Sequence, residues 1–181
     1  MTFCDPDMLL ELGSWEPPQP PPQQKTAPVY TYRWDSLRRL LAEGVAEMTV
    51  KHWQEIAMDQ ASVPLDTDWQ RYIGHEDGGN WRAFTARKDG KLIGYLCFWL
   101  DNHIRYRGTL YATADVFFIL PEHRKGMVGY KLFSEALKAL PKPCKVLINH
   151  KLHFENGRVG RLLERLGMKP IEVVYSTYLK E

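Results

Sequence analysis

The stretch that most restricts how this chain folds is residues 109–140. Residues 109–120 are nearly continuously apolar towards their end, the mark of a strand buried on both faces, and Pro121 stops them. A short basic loop with Arg124, Lys125 and Gly126 follows. Over 126–140, Val128, Leu132, Phe133, Ala136, Leu137 and Leu140 then recur at helical spacing, and Pro141 and Pro143 end the run. A buried strand that passes within a few residues into an amphipathic helix belongs to a layered α/β architecture.

The other layers can be read around it. Residues 29–34 form a first strand, with Asp35 as the expected N-cap of a helix whose apolar face is Leu37, Leu40, Leu41, Val45 and Met48. The helical pattern continues less cleanly to Ile56, and Asp66 and Asp68 introduce an aromatic segment with Trp69, Tyr72 and Ile73. Strands at 81–87 and 91–100 flank Asp89-Gly90, a strong hairpin signal. A polar loop covers 101–108, and after the helix come a strand at 145–150 and a last helix with Val159, Leu162, Leu163 and Leu166, ended by Gly167. Alternation over 171–179 predicts a final strand. Residues 1–28 stand apart: six prolines between Pro17 and Pro28 favour an extended arm, which a proline-reading protein partner could use. The domain is then 29–181.

Composition narrows the function classes. At 181 residues the chain suits one domain with a sizeable core. The apolar run at 92–100 is too short to span a bilayer, the amino end lacks a basic leader, and three scattered cysteines fit a reducing cytoplasm. No CxxC pair suggests a metal site. Residues 121–170 hold eleven Lys or Arg against four Asp or Glu, while 40–80 hold eight acids and two bases. One region is prepared for an anion and another for a cation.

The anion has an evident seat. The first turn of a helix offers unpaired N–H groups and the positive end of a dipole, and glycine lets a phosphate approach the backbone. Arg124 and Lys125 add charge, so the loop reads as a pyrophosphate cradle. It is not a P-loop, for no G-x-x-x-x-G-K-[ST] run occurs, and not a dinucleotide fingerprint, which needs three glycines where only two stand.

The strand, Pro121, the Arg124-Lys125-Gly126 loop and its helix resemble the acyl-CoA-binding motif of the GNAT superfamily of N-acetyltransferases. Leu162-Leu163-Glu164-Arg165-Leu166-Gly167-Met168 resembles the family's last helix and glycine stop. The resemblance covers nearly all but the proline-rich arm and is strongest to members encoded by bacteriophages. It implies a mixed, mostly antiparallel sheet flanked by helices (a GNAT-like α/β fold), acetyl-CoA as co-substrate, no metal, and transfer of an acetyl group to a primary amine. It further implies that Phe118, Ile119 and Leu120 lie at a bulge that supplies oxyanion donors and holds the pantetheine arm, and that Arg124, Lys125, Gly126, Met127, Val128, Gly129, Tyr130 and Asn156 bind the cofactor. Two departures stand out. The family's Q/R-x-x-G-x-G/A, with Gly126 as its first glycine, starts at His123 and ends on Val128, leaving Gly129 one residue late. Asn156 is followed seven residues later by Leu163, where many members carry the tyrosine that protonates the leaving thiolate.

For the general base, Asp115 is the first candidate: inside an apolar strand a buried carboxylate can be tuned as a base, although a strand residue facing solvent reads equally well. His150, ending a strand, is the second. His103 and His153 fall in loops, Tyr130, Tyr175 and Tyr178 read as packing before acids, and Cys97 reads as a small core residue. The acceptor site is expected from the first helices and the 101–108 loop, with Trp53, Trp69, Tyr72 and Trp81 beside Glu55, Asp59, Asp66 and Asp68 suiting a cationic amine. An acetyltransferase is the foremost reading. The alternatives are a module of the same fold that has lost the chemistry, marked by Val128 and Leu163, and a nucleic-acid binder, which lacks any recognition motif. A homodimer is left open, and neither membrane nor nucleic acid is expected as partner.

Overall fold

The computed structural model describes residues 27–152 and 157–179. Nearly all of the proline-rich arm, together with His153 and Asn156, lies outside the described residues. In chain order the elements are β1 (Tyr30–Asp35), α1 (Leu37–Ala42), α2 (Val45–Ile56), α3 (Trp69–Asp77), β2 (Trp81–Lys88), β3 (Lys91–Asn102), β4 (Leu110–Ile119), a 3-10 turn at Pro121–His123, α4 (Val128–Ala139), β5 (Cys144–Leu147) and α5 (Arg158–Arg165). The sheet runs β1-β2-β3-β4-β5, with β1 to β4 antiparallel and β5 parallel to β4.

Alternation along the strands makes two cores. Phe84, Leu96, Phe98 and Ala112 face α4 and α5 through Leu132, Phe133, Ala136 and Leu163. Ala83, Tyr95, Cys97 and Phe118 face α1 to α3 through Leu37, Leu40, Val45 and Met48. The β2–β3 turn follows its sequence signal: Asp89 and Gly90 both take positive φ, as a type I′ hairpin demands.

Three expectations are corrected. The first helix is two, because Gly44 adopts φ 84° and breaks it before Val45. Its N-cap is Ser36, which accepts from the Arg39 N–H, while the Leu37 N–H donates to Glu76 at 2.8 Å. Asp35 is instead the last residue of β1, turned onto the fully buried Arg87. Arg87 donates from Nε to Asp35 (2.8 Å), from Nη2 to Glu43 (2.6 Å) and from Nη1 to the Gly90 carbonyl (3.0 Å). Thr85 also donates to Asp35 at 2.7 Å. Burial opposes ionisation of Asp35, but the bonds from Thr85 and Arg87 and the Arg87 charge outweigh it and hold the carboxyl below its usual range. The Arg87 hydrogen bond does the same for Glu43. The third correction is the final strand: among the described residues nothing pairs with 171–179, which lie outside the sheet and exposed. Period-two alternation marks a segment fit to be a strand, but a strand also needs a neighbouring edge.

Candidate active site

The site starts from an irregularity in β4. Leu96 pairs with Phe117 but Phe98 pairs with Ala114, so β4 carries one extra residue opposite Cys97. Ala114 belongs to the α4–α5 core, Asp115 and Val116 both turn to the α1–α3 side, and Phe117 returns to the first. This is a β-bulge at Asp115–Val116. The sequence reading placed the bulge at Phe118, Ile119 and Leu120, where the ladder is in fact regular: Phe118 pairs with Tyr95, Ile119 with Gly94, and the Leu120 N–H donates to the Ile93 carbonyl at 2.9 Å.

That last bond fixes which groups are open. In an antiparallel ladder hydrogen-bonded pairs recur every second residue. Leu120 and Phe118 therefore turn their N–H groups to β3, and Phe117 and Ile119 turn theirs to the other edge. On that edge β5 pairs with β4 only from Leu110 to Thr113. Beyond Thr113, opposite which β5 ends at Leu147, β4 has no strand partner on that edge among the described residues, so the Phe117 and Ile119 N–H groups are left open there. Phe117 is thus an addition to the sequence candidates, and Leu120 and Phe118 contribute no backbone donor there. The register set by the hairpins and the bulge was the signal needed to find it.

On its paired side β4 approaches β3 closely. A Cβ on Gly94 would lie 2.8 Å from the Phe118 carbonyl oxygen and 2.9 Å from Ile119 Cγ1. Backbone cannot yield as a flexible side chain does, so Gly94→Ala will displace Phe118 and Ile119 and destabilise the fold by about 1–3 kcal/mol. Urea unfolding of the two proteins checks this.

The loop after β4 is anchored at both ends. Arg124 donates from Nε to the Ile119 carbonyl at 2.8 Å and grips Glu55 of α2 with both terminal nitrogens. Its guanidinium also lies 5.2 Å from the Phe118 ring centre. Arg158 of α5 donates to the Arg124 carbonyl at 3.0 Å. Arg124 therefore braces the loop, and its charge is matched by a carboxylate, so the exposed cation offered to an anion is Lys125. Gly126 turns at φ 77°. The first intrahelical bond of α4 runs from the Lys131 N–H to the Met127 carbonyl, so the N–H groups of Val128, Gly129 and Tyr130 have no partner within the helix. Met127 provides no side-chain cap. A cavity of about 630 Å³ opens beside the loop on the β1 side, with Tyr32, Lys125, Met127 and Lys131 in its wall.

The structure also resolves the mismatch in the glycine pattern. Val128 is buried in the core, and it is Gly129 that stands where α4 abuts the end of β4, with a Cβ there meeting Ile119 Cδ1 and Leu162 Cδ1 at 3.6 Å. The pattern started at Arg124 rather than His123 ends on Gly129, and its only departure is then Met127. Leu163 is buried among the core residues of α5, so that position packs the sheet.

The two candidate bases lie apart: Asp115 leaves β4 on the α1–α3 side, whereas His150, expected to end a strand, lies three residues past Leu147, where β5 stops. Asp115 accepts from Trp81 Nε1 at 2.9 Å and from the Tyr72 hydroxyl. Burial first, and Asp115 second, raise the Tyr72 pKa, so its phenol keeps its proton. Around them Tyr72 contacts Trp69, Trp81 and Trp99 at ring separations of 6.2, 5.2 and 5.8 Å, and His75 stands edge-on to Trp99 at 5.0 Å. Three of the expected acceptor-side residues, Trp69, Tyr72 and Trp81, thus meet at Asp115, whereas Glu55 is committed to Arg124. The 101–108 loop sits at the start of β4, about 30 Å along the strand from Ile119, and takes no part. His150 lies on the other face against α5, close enough that a Cβ on Gly160 would meet its Nε2 at 3.2 Å. Its buried Nδ1 has no partner among the described residues.

One further group belongs to the α1–α3 side. His52 of α2 is buried, stacks on Phe118 at 5.0 Å and bonds the Tyr95 hydroxyl through Nδ1 at 3.1 Å. Burial pushes its pKa down to about 4, so it is neutral at pH 7.

Among the described residues no group of three or more His, Cys, Asp or Glu could hold a metal ion. None of the described helices is long and apolar enough to cross a membrane.

Solved structures share this fold. The ribosomal-protein-alanine N-acetyltransferase of Brucella melitensis biovar Abortus 2308 superposes with a TM-score of 0.63 at 18% identity, over 84% of this chain and 99% of that one. The glucosamine-6-phosphate N-acetyltransferase of Arabidopsis thaliana gives 0.60 at 13% identity, over 84% and 99%. The aminoglycoside N-acetyltransferase AAC(6')-Iy in complex with CoA gives 0.58 at 18% identity, over 86% and 97%. No curated protein matches this chain in sequence. A family model does, over residues 34–168, from β1 through α5 and so across β4, its open edge and the anchored loop: the chain belongs to the Acetyltransferase (GNAT) family.

Proposed function

We propose that the protein is an N-acetyltransferase that moves the acetyl group of acetyl-CoA to a primary amine by direct attack. The observation that carries this reading is the open β4 edge, with the Phe117 and Ile119 N–H groups facing a gap that leads to the loop and first turn of α4. The residues suit the co-substrate. Lys125, Gly126 and the N–H groups of Val128, Gly129 and Tyr130 match a pyrophosphate, and the open strand edge matches the amide-bearing arm.

Acetyl-CoA supplies the activated carbonyl. The donors at Phe117 and Ile119 point where negative charge on that oxygen needs support. A lysine-like amine, with a pKa of about 10.4, has to lose a proton to attack, and Asp115 takes it. Two of its roughly four acceptor positions are used by Trp81 and Tyr72, which leaves capacity for the amine. The aromatic rings around it and the acid-rich 40–80 segment favour a cationic acceptor. His150, on the far face, orients nothing on the acceptor side.

Leu163 supports a second reading, a module that binds acyl-CoA without turnover, because the core position it fills leaves no tyrosine to protonate a thiolate. One experiment separates the two. Calorimetric titration with acetyl-CoA is expected to show binding to the wild type that Gly126→Glu abolishes, since the new carboxylate repels the phosphates and strains the loop at φ 77°. A screen of polyamines, lysine peptides and aminoglycosides for thiol release then distinguishes enzyme from module. Failure of the wild type to bind acetyl-CoA sinks both readings.

A further inference from the structure

The loop that joins β3 to β4 is tied closely to itself. The His103 N–H donates to the Thr109 carbonyl at 3.2 Å, the Tyr106 N–H to the His103 carbonyl at 3.0 Å, and the Thr109 N–H to the Tyr106 carbonyl at 2.9 Å. The Arg105 N–H adds a bond to His103 Nδ1 at 3.1 Å. Gly108, at φ 87°, makes the turn back towards β4. Three rings meet on this frame. His103 lies 4.9 Å from Tyr106 and 4.5 Å from Tyr111, and the two tyrosine rings are parallel to within 3° at 6.5 Å. Tyr106 is 56% exposed, and Ile104 near it 98%.

Cations surround the rings. Arg105 and Arg107 are exposed on the loop itself. β5 enters the sheet beside this end of β4, with Cys144 opposite Leu110 and Lys145 opposite Tyr111. Register partners on neighbouring strands share a face, so Lys145 flanks Tyr111, and Lys142 stands just before β5. None of these four cations forms a salt bridge or a side-chain hydrogen bond among the described residues. Exposed arginines elsewhere are matched, Arg38 by Asp77 and Arg39 by Glu43. The one carboxylate within 101–111 and 141–151 is Asp101, which accepts from the Asn102 N–H.

A fixed aromatic platform ringed by unmatched cations has the chemistry that holds a single strand of nucleic acid: bases stack on rings and phosphates meet the cations. We propose that the β3–β4 loop and the start of β5 bind single-stranded nucleic acid, with a base on Tyr106 and the backbone passing Arg105, Arg107, Lys142 and Lys145. An acidic protein would match the charge alone, whereas the parallel rings favour a flat partner. Because the loop is already held by its own bonds, little order is lost on binding. The sequence shows no recognition motif, since rings and cations come together only through the loop and the β4–β5 register. The reading does not depend on the acetyl-transfer chemistry.

Fluorescence anisotropy of labelled twelve-nucleotide oligo(U) and oligo(dT) with the full chain tests it. Both are expected to bind, and more tightly than a duplex of the same length, whose bases are already stacked. With four cations engaged, log Kd should rise with log salt at a slope of about 3. Arg105→Gln together with Arg107→Gln should lower that slope by about 1.4. Tyr106→Ala should weaken binding about tenfold, whereas Tyr106→Phe, which keeps the ring, should bind as the wild type does. All three side chains are exposed, and circular dichroism checks that the fold is kept. Lack of binding overturns the proposal. So does binding that neither the arginine pair nor Tyr106→Ala weakens, which would put the strand on another basic surface. Equal or tighter binding of the duplex overturns it as well, and so does equal or tighter binding of a labelled hexaglutamate peptide, which would make this a surface for acidic proteins.

Discussion

Arg87→Met will cost the fold about 3–5 kcal/mol at pH 7, the usual loss when one partner of a buried ion pair is removed. Methionine fills most of the vacated volume, so the loss comes from charge and hydrogen bonding more than from a cavity. Asp35, with 4% of its side chain exposed, loses the cation that offsets its burial, and Glu43 and the Gly90 carbonyl each lose a donor. For a domain of this size the melting temperature falls by on the order of 10 °C. In urea the midpoint drops with little change in slope. The pH dependence identifies the cause. In the wild type Asp35 and Glu43 have lowered pKa values, so their contribution is present above the unfolded carboxylate range near pH 4 and is lost as pH falls through the folded values. In the variant the buried Asp35 carboxyl prefers its proton, so acidification relieves it. The gap between the two proteins should narrow from pH 7 to pH 4. A gap that stays constant would mean that packing, not the ion pair, carries the loss.

Asp115→Asn will lower kcat by about 10²–10⁴-fold, the range a positioned base contributes. Asparagine keeps an oxygen that accepts from Trp81 and Tyr72, so the aromatic cluster stays in place. Affinity for acetyl-CoA, measured by calorimetry, should be unchanged, because the proposed pyrophosphate seat lies past Pro121 and the carboxyl turns to the α1–α3 side. The deficit should shrink for acceptors whose amine is already neutral at the assay pH, since those need no base. Full activity in the variant would remove Asp115 from the chemistry and turn attention to His52, a buried imidazole on that face.

Much of the fold is legible in the chain because local signals agree with one another. Asp89-Gly90 fixes one hairpin, Pro121 ends β4, and the spacing from Val128 to Leu140 gives α4 its face. The residues that escaped are those whose meaning depends on register or on distant partners. Arg87 carries the signature of a surface residue, and its burial is explained only by Asp35 and Glu43, which are remote in sequence. Asp35 read as a cap because it precedes a helix, but the adjacent serine is free for that role while Asp35 is held by Arg87. Phe117 was invisible because a backbone donor has no side-chain mark. The segment 171–179 has the composition of a strand yet joins no ladder among the described residues, because composition says nothing about whether an edge is met.

The bulge in β4 has a consequence for anyone who compares this chain with a relative. The strand is two half-strands joined by a phase slip. Up to Ala114, even positions look towards α4 and α5; from Phe117 onward, odd positions do. Counting forward from Leu110 assigns every residue after Asp115 to the wrong side, while counting back from Pro121 assigns the carboxyl end of β4 correctly. A deletion of one residue at 115–116 would realign the ladder with β3 and shift the half-strand before it by one residue against the half-strand after it. Insertions and deletions should therefore be tolerated in the 101–108 loop far better than at this one step.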